Sequence, residues 1–361
     1  MTCVERKRGL NMKQFLLVLV CLLVLNTWSD NLRAQGNSNK SGTTAAQFLK
    51  IGVGARAMGM GGSFVAHADD IYSLYWNPAG LTKVEAVTIS AVQTQWFADI
   101  SHNFFGFVLP VDGSSAIGAQ VITLNMDEIE ITTIDDPHGT NEFYDASDLA
   151  IGLSYAKRLT NYFALGVTGK YIQQKIYNES ASTFAFDIGS VLNIPYYGLK
   201  LGMAFSNFGG SLKMEGRDLT REFDLNPDNS LNDGVEARLK TEPWDLPVNF
   251  SFGLALDIIG GKDGLYKAEQ HQLTFDITGS HPADADEYAS IGFEYTLSKL
   301  ISIRTGYRSN RDVEKMFYGA GLHIPMGTTI FNFDYAIASF EDLDYIHVLS
   351  LIHISEPTRP Y

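Results

Sequence analysis

Beyond residue 34 the sequence has no cysteine; its two cysteines, Cys3 and Cys21, both lie in the leader. Disulfides, thiolate metal centres and cysteine nucleophiles are thereby excluded downstream. Long hydrophobic runs are scarce too. The longest, Phe15–Leu25, holds eleven apolar residues, too few to cross a bilayer as a helix. With Met12-Lys13 before it and Asn26–Asp30 after it, this run suits a secretory signal, and cleavage is expected after Ala34. Translation starting at Met12 would shorten only the basic lead, and Val20 makes Cys21 a poor lipidation site. Basic side chains are the third scarcity, 27 Lys and Arg against 41 Asp and Glu, for a net charge of −14. Such a chain repels nucleic acid. A hydrophobic content of 45% and a mean hydropathy of −0.03 argue against a bundle of membrane helices.

What the sequence does contain is alternation. In Val248-Asn249-Phe250-Ser251-Phe252-Gly253-Leu254-Ala255-Leu256-Asp257 every second residue is a large apolar one, the signature of a strand with one apolar face. The pattern recurs, giving fourteen candidate strands that begin near 84, 101, 115, 147, 161, 182, 198, 246, 270, 287, 300, 315, 327 and 344. Several connections are short (110–113, 157–161, 195–198, 297–300, 325–327), whereas 127–148 and 209–245 are long and polar. Short turns inside and long loops outside characterise an outer-membrane barrel, so the fold class is all-β: an antiparallel transmembrane barrel of fourteen strands. The even count leads us to expect both termini in the periplasm. Phe250, Phe252, Leu254, Leu273, Phe275, Ile277, Phe331 and Phe333 should face lipid. Arg should therefore be tolerated better at Ser251 than at Phe252. Trp96, Phe97, Phe104, Phe105, Tyr162, Phe163, Tyr196, Tyr197 and Tyr345 should form interfacial girdles.

The chain divides into a signal peptide (1–34), a glycine-rich segment (35–82), a barrel (83–348) and a tail (349–361). The second part carries Arg56, Gly59, Gly61, Gly62, Asp69, Asp70, Asn77, Pro78 and Gly80. Asp69 or Asp70 should cap a short helix ending near Trp76, stopped by Pro78. No Gly-Lys-Ser/Thr follows the glycines, so a phosphate loop is excluded.

That segment resembles the N-terminal hatch of FadL-like outer-membrane barrels. With Ala46–Gly52, Ser206-Asn207-Phe208-Gly209-Gly210 and Gly216–Leu219, the chain most resembles the PorV/PorQ family associated with type IX secretion. The resemblance implies fourteen strands, in agreement with the count above, and a hatch inside the barrel. Leu349–Pro360 instead resembles the in-frame translation of a sequencing adapter. A barrel ending at Val348 would be interrupted within its last strand, although the alternation runs on to Ile354.

No residue set supports catalysis, a cofactor or a metal. His102 and His323 stand on separate strands, and the lipid A deacylation linked to some PorV-type proteins has no residue set here to carry it. Asp224-x-Asn226-x-Asp228 has calcium-loop spacing, but Asn229 and Val235 break the pattern. The eight acidic residues of 127–148 read as a solvated outer loop. Lys170, Asp187, Asp257, Asp276, Glu294, Arg304, Arg308 and Asp334 should face the lumen and pair with one another and with Arg56, since unpaired buried charge is costly. The expected function is non-enzymatic receipt or transfer of secreted cargo, with outer-membrane lipid, cargo C-terminal domains and other secretion components as partners. The alternative is FadL-like transport of a hydrophobic ligand, which calls for an apolar pocket between loops and hatch.

Overall fold

The structure, a computed structural model, describes residues 42–194, 198–224, 235–260, 264–311, 313–340 and 345–355. Fourteen long antiparallel strands close into one barrel. They are β1 (Thr88–Gln95), β2 (Ser101–Asp112), β3 (Ser115–Asn125), β4 (Ala146–Arg158), β5 (Phe163–Ile176), β6 (Glu179–Ile194), β7 (Leu199–Gly209), β8 (Asn249–Gly260), β9 (His271–Pro282), β10 (Tyr288–Leu297), β11 (Ile301–Arg308), β12 (Met316–Met326), β13 (Thr329–Ser339) and β14 (Tyr345–Ser355). Each pairs with its sequence neighbours, and β14 closes on β1 from Gln95↔His347 to Thr88↔Ile354. Closure leaves no unpaired edge, which a bilayer demands. No described helix is long and apolar enough to cross a membrane.

The alternation sets the faces. Phe250, Phe252 and Phe333 are exposed on the outer wall, whereas Ser251, Asp276 and Asp334 are buried inside. Leu254, Leu273, Phe275, Ile277 and Phe331 are half-buried on the outward face. The aromatic expectation needs revision. Phe104 turns inward and is 2% exposed, because it shares phase with the lumen residues His102 and Gly106. Trp96 and Phe97 pack on Phe340 at centroid distances of 5.7 and 5.1 Å, forming an aromatic knot just beyond β1. Phe105, Tyr162 and Tyr345 are exposed and Phe163 is half-buried. Tyr196 and Tyr197 lie outside the described residues.

β1 starts later than the alternation suggests. Residues Pro78–Lys83 form a 3-10 turn, and the Asn77 side chain accepts a hydrogen bond from the Ala79 amide at 3.2 Å. The hatch therefore reaches residue 87. Ahead of it lie a 3-10 turn (Gln47–Lys50), α1 (Ala55–Gly59) and α2 (Ser73–Trp76). Neither aspartate caps α2 from its own N-cap, which is Tyr72. Asp70 Oδ1 instead accepts from the Tyr72 amide at 2.8 Å, one turn-type bond earlier.

The hatch crosses the lumen from rim to rim. Its first contacts lie at the rim of the long connections, where the Ala45 amide donates to the Asp245 carbonyl at 2.9 Å. Its end is at the opposite rim, where the Ser355 amide donates to the Val87 carbonyl at 3.0 Å. The even strand count thus brings the start of β1 and the end of β14 together, while the described chain begins at the other rim. The wall is not interrupted at Val348. Leu349 and Leu351 face outward and Ser350 and Ile352 inward, so the alternation carries β14 to Ser355. Residues 356–361 lie outside the described residues.

Candidate functional site in the plugged lumen

Close approach of the hatch depends on glycines in the wall. A Cβ at Gly306 would lie 2.2 Å from the Gly61 nitrogen, and one at Gly166 would lie 2.3 Å from the Pro78 carbonyl carbon. These strand positions, normally weakened by glycine, let backbone meet backbone. Side chains of the hatch then finish the seal. The Asn77 amide donates to the Val65 and Ser190 carbonyls at 2.8 and 3.1 Å, which ties the hatch to itself and to β6. Trp76 Nε1 donates to the Val53 carbonyl at 2.9 Å.

The centre of the lumen is ionic. Arg56 reaches Asp69 at 2.7 Å, Asp70 at 2.9 Å and Glu294 of β10 at 2.7 Å. Arg304 of β11 extends the cluster, meeting Glu294 and Asp334 at 2.6 Å each. His67 Nε2 sits 2.9 Å from an Arg56 nitrogen. Burial works against the Arg56 charge, but Asp69, Glu294 and Asp70 outweigh it and raise its pKa above the ordinary value. Burial likewise opposes the Asp69 charge, and Arg56 overcomes it, leaving that carboxyl below its usual range. Asp70 goes the other way. Burial pushes it up to about 6, with the Asp69 charge adding to the push and Arg56 opposing it.

The remaining lumen charges fall into local groups. Lys170 lies 2.8 Å from Asp187 and donates to Asn207 Oδ1 at 2.5 Å. Asn207 has a φ of +61° and occupies a bulge in β7, where the register with β6 shifts between Phe186 and Ile188. Its amide donates to Asp187 Oδ1 at 2.8 Å, so the charged pair holds the bulge. Asp257 pairs with Lys200 at 3.2 Å. Arg308 pairs with Glu314 and donates to the Gly61 carbonyl at 3.0 Å. Asp276 accepts from Ser63 Oγ at 2.7 Å, and its other oxygen has no protein partner.

The cluster thus unites Arg56, Asp69, Asp70, Glu294, Arg304 and Asp334, but leaves Lys170, Asp187, Asp257, Asp276 and Arg308 in separate contacts. Gly59 abuts Gly319, with a Cβ only 3.0 Å from its Cα, and Gly62 approaches Arg308 and Trp76. Gly80 packs on the Ala68 carbonyl. His323 is less isolated than its sequence position suggests: Nε2 lies 3.2 Å from Ser302 Oγ, which in turn contacts Thr296 at 2.9 Å. Ser63, His67, Lys200, Asn207 and Asp284 were missed by sequence reasoning. Only Asn207 had a signal, the residue pair Asn207-Phe208 before two glycines.

Apolar groups fill the rest of the lumen. Phe48, Leu49, Met58, Val92, Phe104, Ile122, Ile172 and Phe317 join one buried cluster. A hollow of about 420 Å³ lies on the outer face over β1 to β3 and β14, lined by residues including Ala91, Phe105, Val121 and Leu351. Above the mouth, Thr220–Phe223 and Val235–Arg238 pair as a separate hairpin. Phe223, Val235, Leu239 and Trp244 of this loop are exposed. The calcium-spaced Asn226 and Asp228 lie outside the described residues. Among the described residues, no group of three or more His, Cys, Asp or Glu side chains is arranged to hold a metal ion.

Comparison with known proteins follows this geometry. No curated protein matches. The solved CymD monoaromatic hydrocarbon channel is similar in fold, with a TM-score of 0.56, 12% identity and coverage of 85% of this chain and 98% of that one. The Pseudomonas putida toluene transporter TodX has a TM-score of 0.53 at 12% identity, covering 84% and 97% of the two chains. A Pseudomonas aeruginosa FadL homologue gives 0.51 at 12% identity, covering 84% and 98%. At such identity the likeness speaks for the fold alone. The sequence profile of type IX secretion system protein PorV matches residues 34–236, more than half of the chain. The chain belongs to the PorV family of type IX secretion outer-membrane proteins.

Proposed function

We propose that this protein is a non-enzymatic barrel that receives or hands on type IX secretion cargo at the cell surface, through its outer loops. The observation that carries the reading is the outer hairpin. Phe223 and Val235 face each other across it and are 57% and 61% exposed. Apolar side chains held out in water on a connection mark a docking surface. The lumen supports the same reading, because the hatch fills it with buried apolar groups and an arginine-centred cluster. Outer-membrane lipid surrounds the wall, and cargo C-terminal domains and other secretion components are the proposed partners. The long connections face outward and the end of β14 faces the periplasm.

The test is to replace residues 213–242 by a short Gly-Ser turn. Barrel folding, read by heat-modifiable migration, should persist while cargo accumulates in the periplasm. Normal secretion by the folded variant would exclude this loop as the docking surface.

The second reading, transport of a hydrophobic ligand, draws on the fold shared with hydrocarbon channels. It requires the hatch to move, which would break Arg56–Glu294 and Asn77–Ser190 contacts. Uptake of a labelled hydrophobic ligand by cells carrying the protein, absent from cells without it, would favour this reading.

A further inference from the structure

We infer that the hatch begins at the cell surface, where its first described residues are held by a catch on Asp284. The inference rests on the outward assignment of the long connections and is independent of cargo.

Chain direction supplies the first argument. From Thr44 the hatch runs inward, and it ends at the opposite rim where Val87 meets Ser355. The hatch therefore begins on the outer side of the plug. Just below, Phe48 and Leu49 are 2% and 4% exposed and belong to the apolar cluster. The exposed residues of this stretch, Thr43, Gln47 and Lys50, are polar.

The second argument is the way the segment is fastened. Asp284 lies in the outer connection between β9 and β10 and is 1% exposed. One of its oxygens accepts from Thr44 Oγ1 at 2.6 Å and from Gln47 Nε2 at 2.9 Å. Lys50 Nζ reaches the same oxygen at 3.0 Å. Three donors from one short segment thus converge on one carboxylate. Burial raises the energy of its charge, yet the bonds from Gln47, Thr44 and Lys50 hold its pKa below the ordinary value. The Ala45 amide bonds the Asp245 carbonyl at 2.9 Å, and the Ala46 amide bonds Gln174 Oε1 at 2.9 Å. The segment therefore ties two outer connections and the outer end of β5 to the plug. A partner bound to the outer face would touch it, and pulling it would act directly on the hatch.

The cysteine-free mature chain makes the test clean. Single cysteines are introduced by Thr43→Cys at the start of the hatch, Asp135→Cys in an outer loop and Thr328→Cys in an inner turn. Intact cells are treated with a membrane-impermeant maleimide. Thr43→Cys and Asp135→Cys should label in intact cells, and Thr328→Cys only after the envelope is opened. Labelling at Asp135→Cys without labelling at Thr43→Cys would overturn the inference. Labelling of Thr328→Cys alone would overturn the barrel orientation on which it rests. The catch is tested separately with Leu49→Cys, a buried reporter. Adding Asp284→Ala should speed its modification roughly tenfold or more, because a charged acceptor with several donors has been lost. An unchanged rate would show that Asp284 does not hold the segment.

Discussion

Gly306→Ala offers a sharp trial of the plugged lumen, with Gly279→Ala as its control. Both glycines lie in strands, Gly306 facing the hatch and Gly279 facing outward. A Cβ at Gly306 would stand 2.2 Å from the Gly61 nitrogen, 2.2 Å from the Met60 carbonyl carbon and 2.6 Å from its oxygen. All are backbone atoms, and Arg308 anchors the Gly61 carbonyl at 3.0 Å, so the contact cannot be relieved by a rotamer change. Overpacking of this kind costs about 1–3 kcal/mol, occasionally more. At Gly279 a Cβ meets nothing within 4 Å. Alanine there removes backbone freedom from the unfolded chain and should stabilise by about 0.5–1 kcal/mol. The two substitutions should thus shift stability in opposite directions. The assay is urea unfolding of protein refolded into lipid, accompanied by proteolysis of residues 42–87 in the folded state. Gly306→Ala should lower the midpoint or expose the hatch to protease. A midpoint at or above wild type with a protected hatch would refute the backbone contact between plug and wall.

Further outcomes follow from the same geometry. Arg304 is 2% exposed between Glu294 and Asp334, so Arg304→Met should cost about 3–5 kcal/mol by leaving buried carboxylates short of a partner. Adding Asp334→Asn should recover part of that loss in a double-mutant cycle. Phe252→Arg places a charge on the lipid face and should cost about 2–4 kcal/mol near mid-membrane. Ser251→Arg should be no milder, contrary to the reading from alternation alone, because Ser251 is 5% exposed and contacts Ser280 at 3.1 Å; refolding titrations of both variants compare them. Asp70 has a folded pKa of about 6 against 3.8 for the free group. Its contribution is then fully present below pH 3.8 and lost as pH rises through about 6. Asp70→Asn should flatten that part of the stability profile, measured across the same window.

The wall was legible in the sequence because a strand writes its two faces in successive residues. Val248–Asp257 shows this directly: Phe250 and Phe252 are outside, Ser251 is inside. The hatch was legible as a composition, and Asn77-Pro78 as the stop of a helix, but its depth was not. Whether Gly253, in phase with Ser251, looks onto water or onto Ala66 depends on contacts nearly two hundred residues apart in sequence, which no local period records. For the same reason alternation alone does not show that Phe104, a wall residue in phase with His102, packs inward on Tyr72 of the plug. The cluster around Arg56 was partly visible, since buried charges need partners. Which ones pair was not, because Glu294, Arg304 and Asp334 meet through strand register. Asp284 gave no sign of its role: one acid in a short connection becomes a catch only when Thr44, Gln47 and Lys50 are brought to it.

The account turns on binding at the outer loops of a barrel whose lumen is filled by its own hatch. Calorimetric titration of the full-length protein in lipid nanodiscs tests it most directly, using a cargo C-terminal domain and, separately, toluene as a small hydrophobic ligand. We expect saturable binding of the domain, lost when residues 213–242 are replaced by a short turn, and no heat from toluene. Saturable toluene binding that survives the loop replacement, with no binding of the domain, would contradict the account.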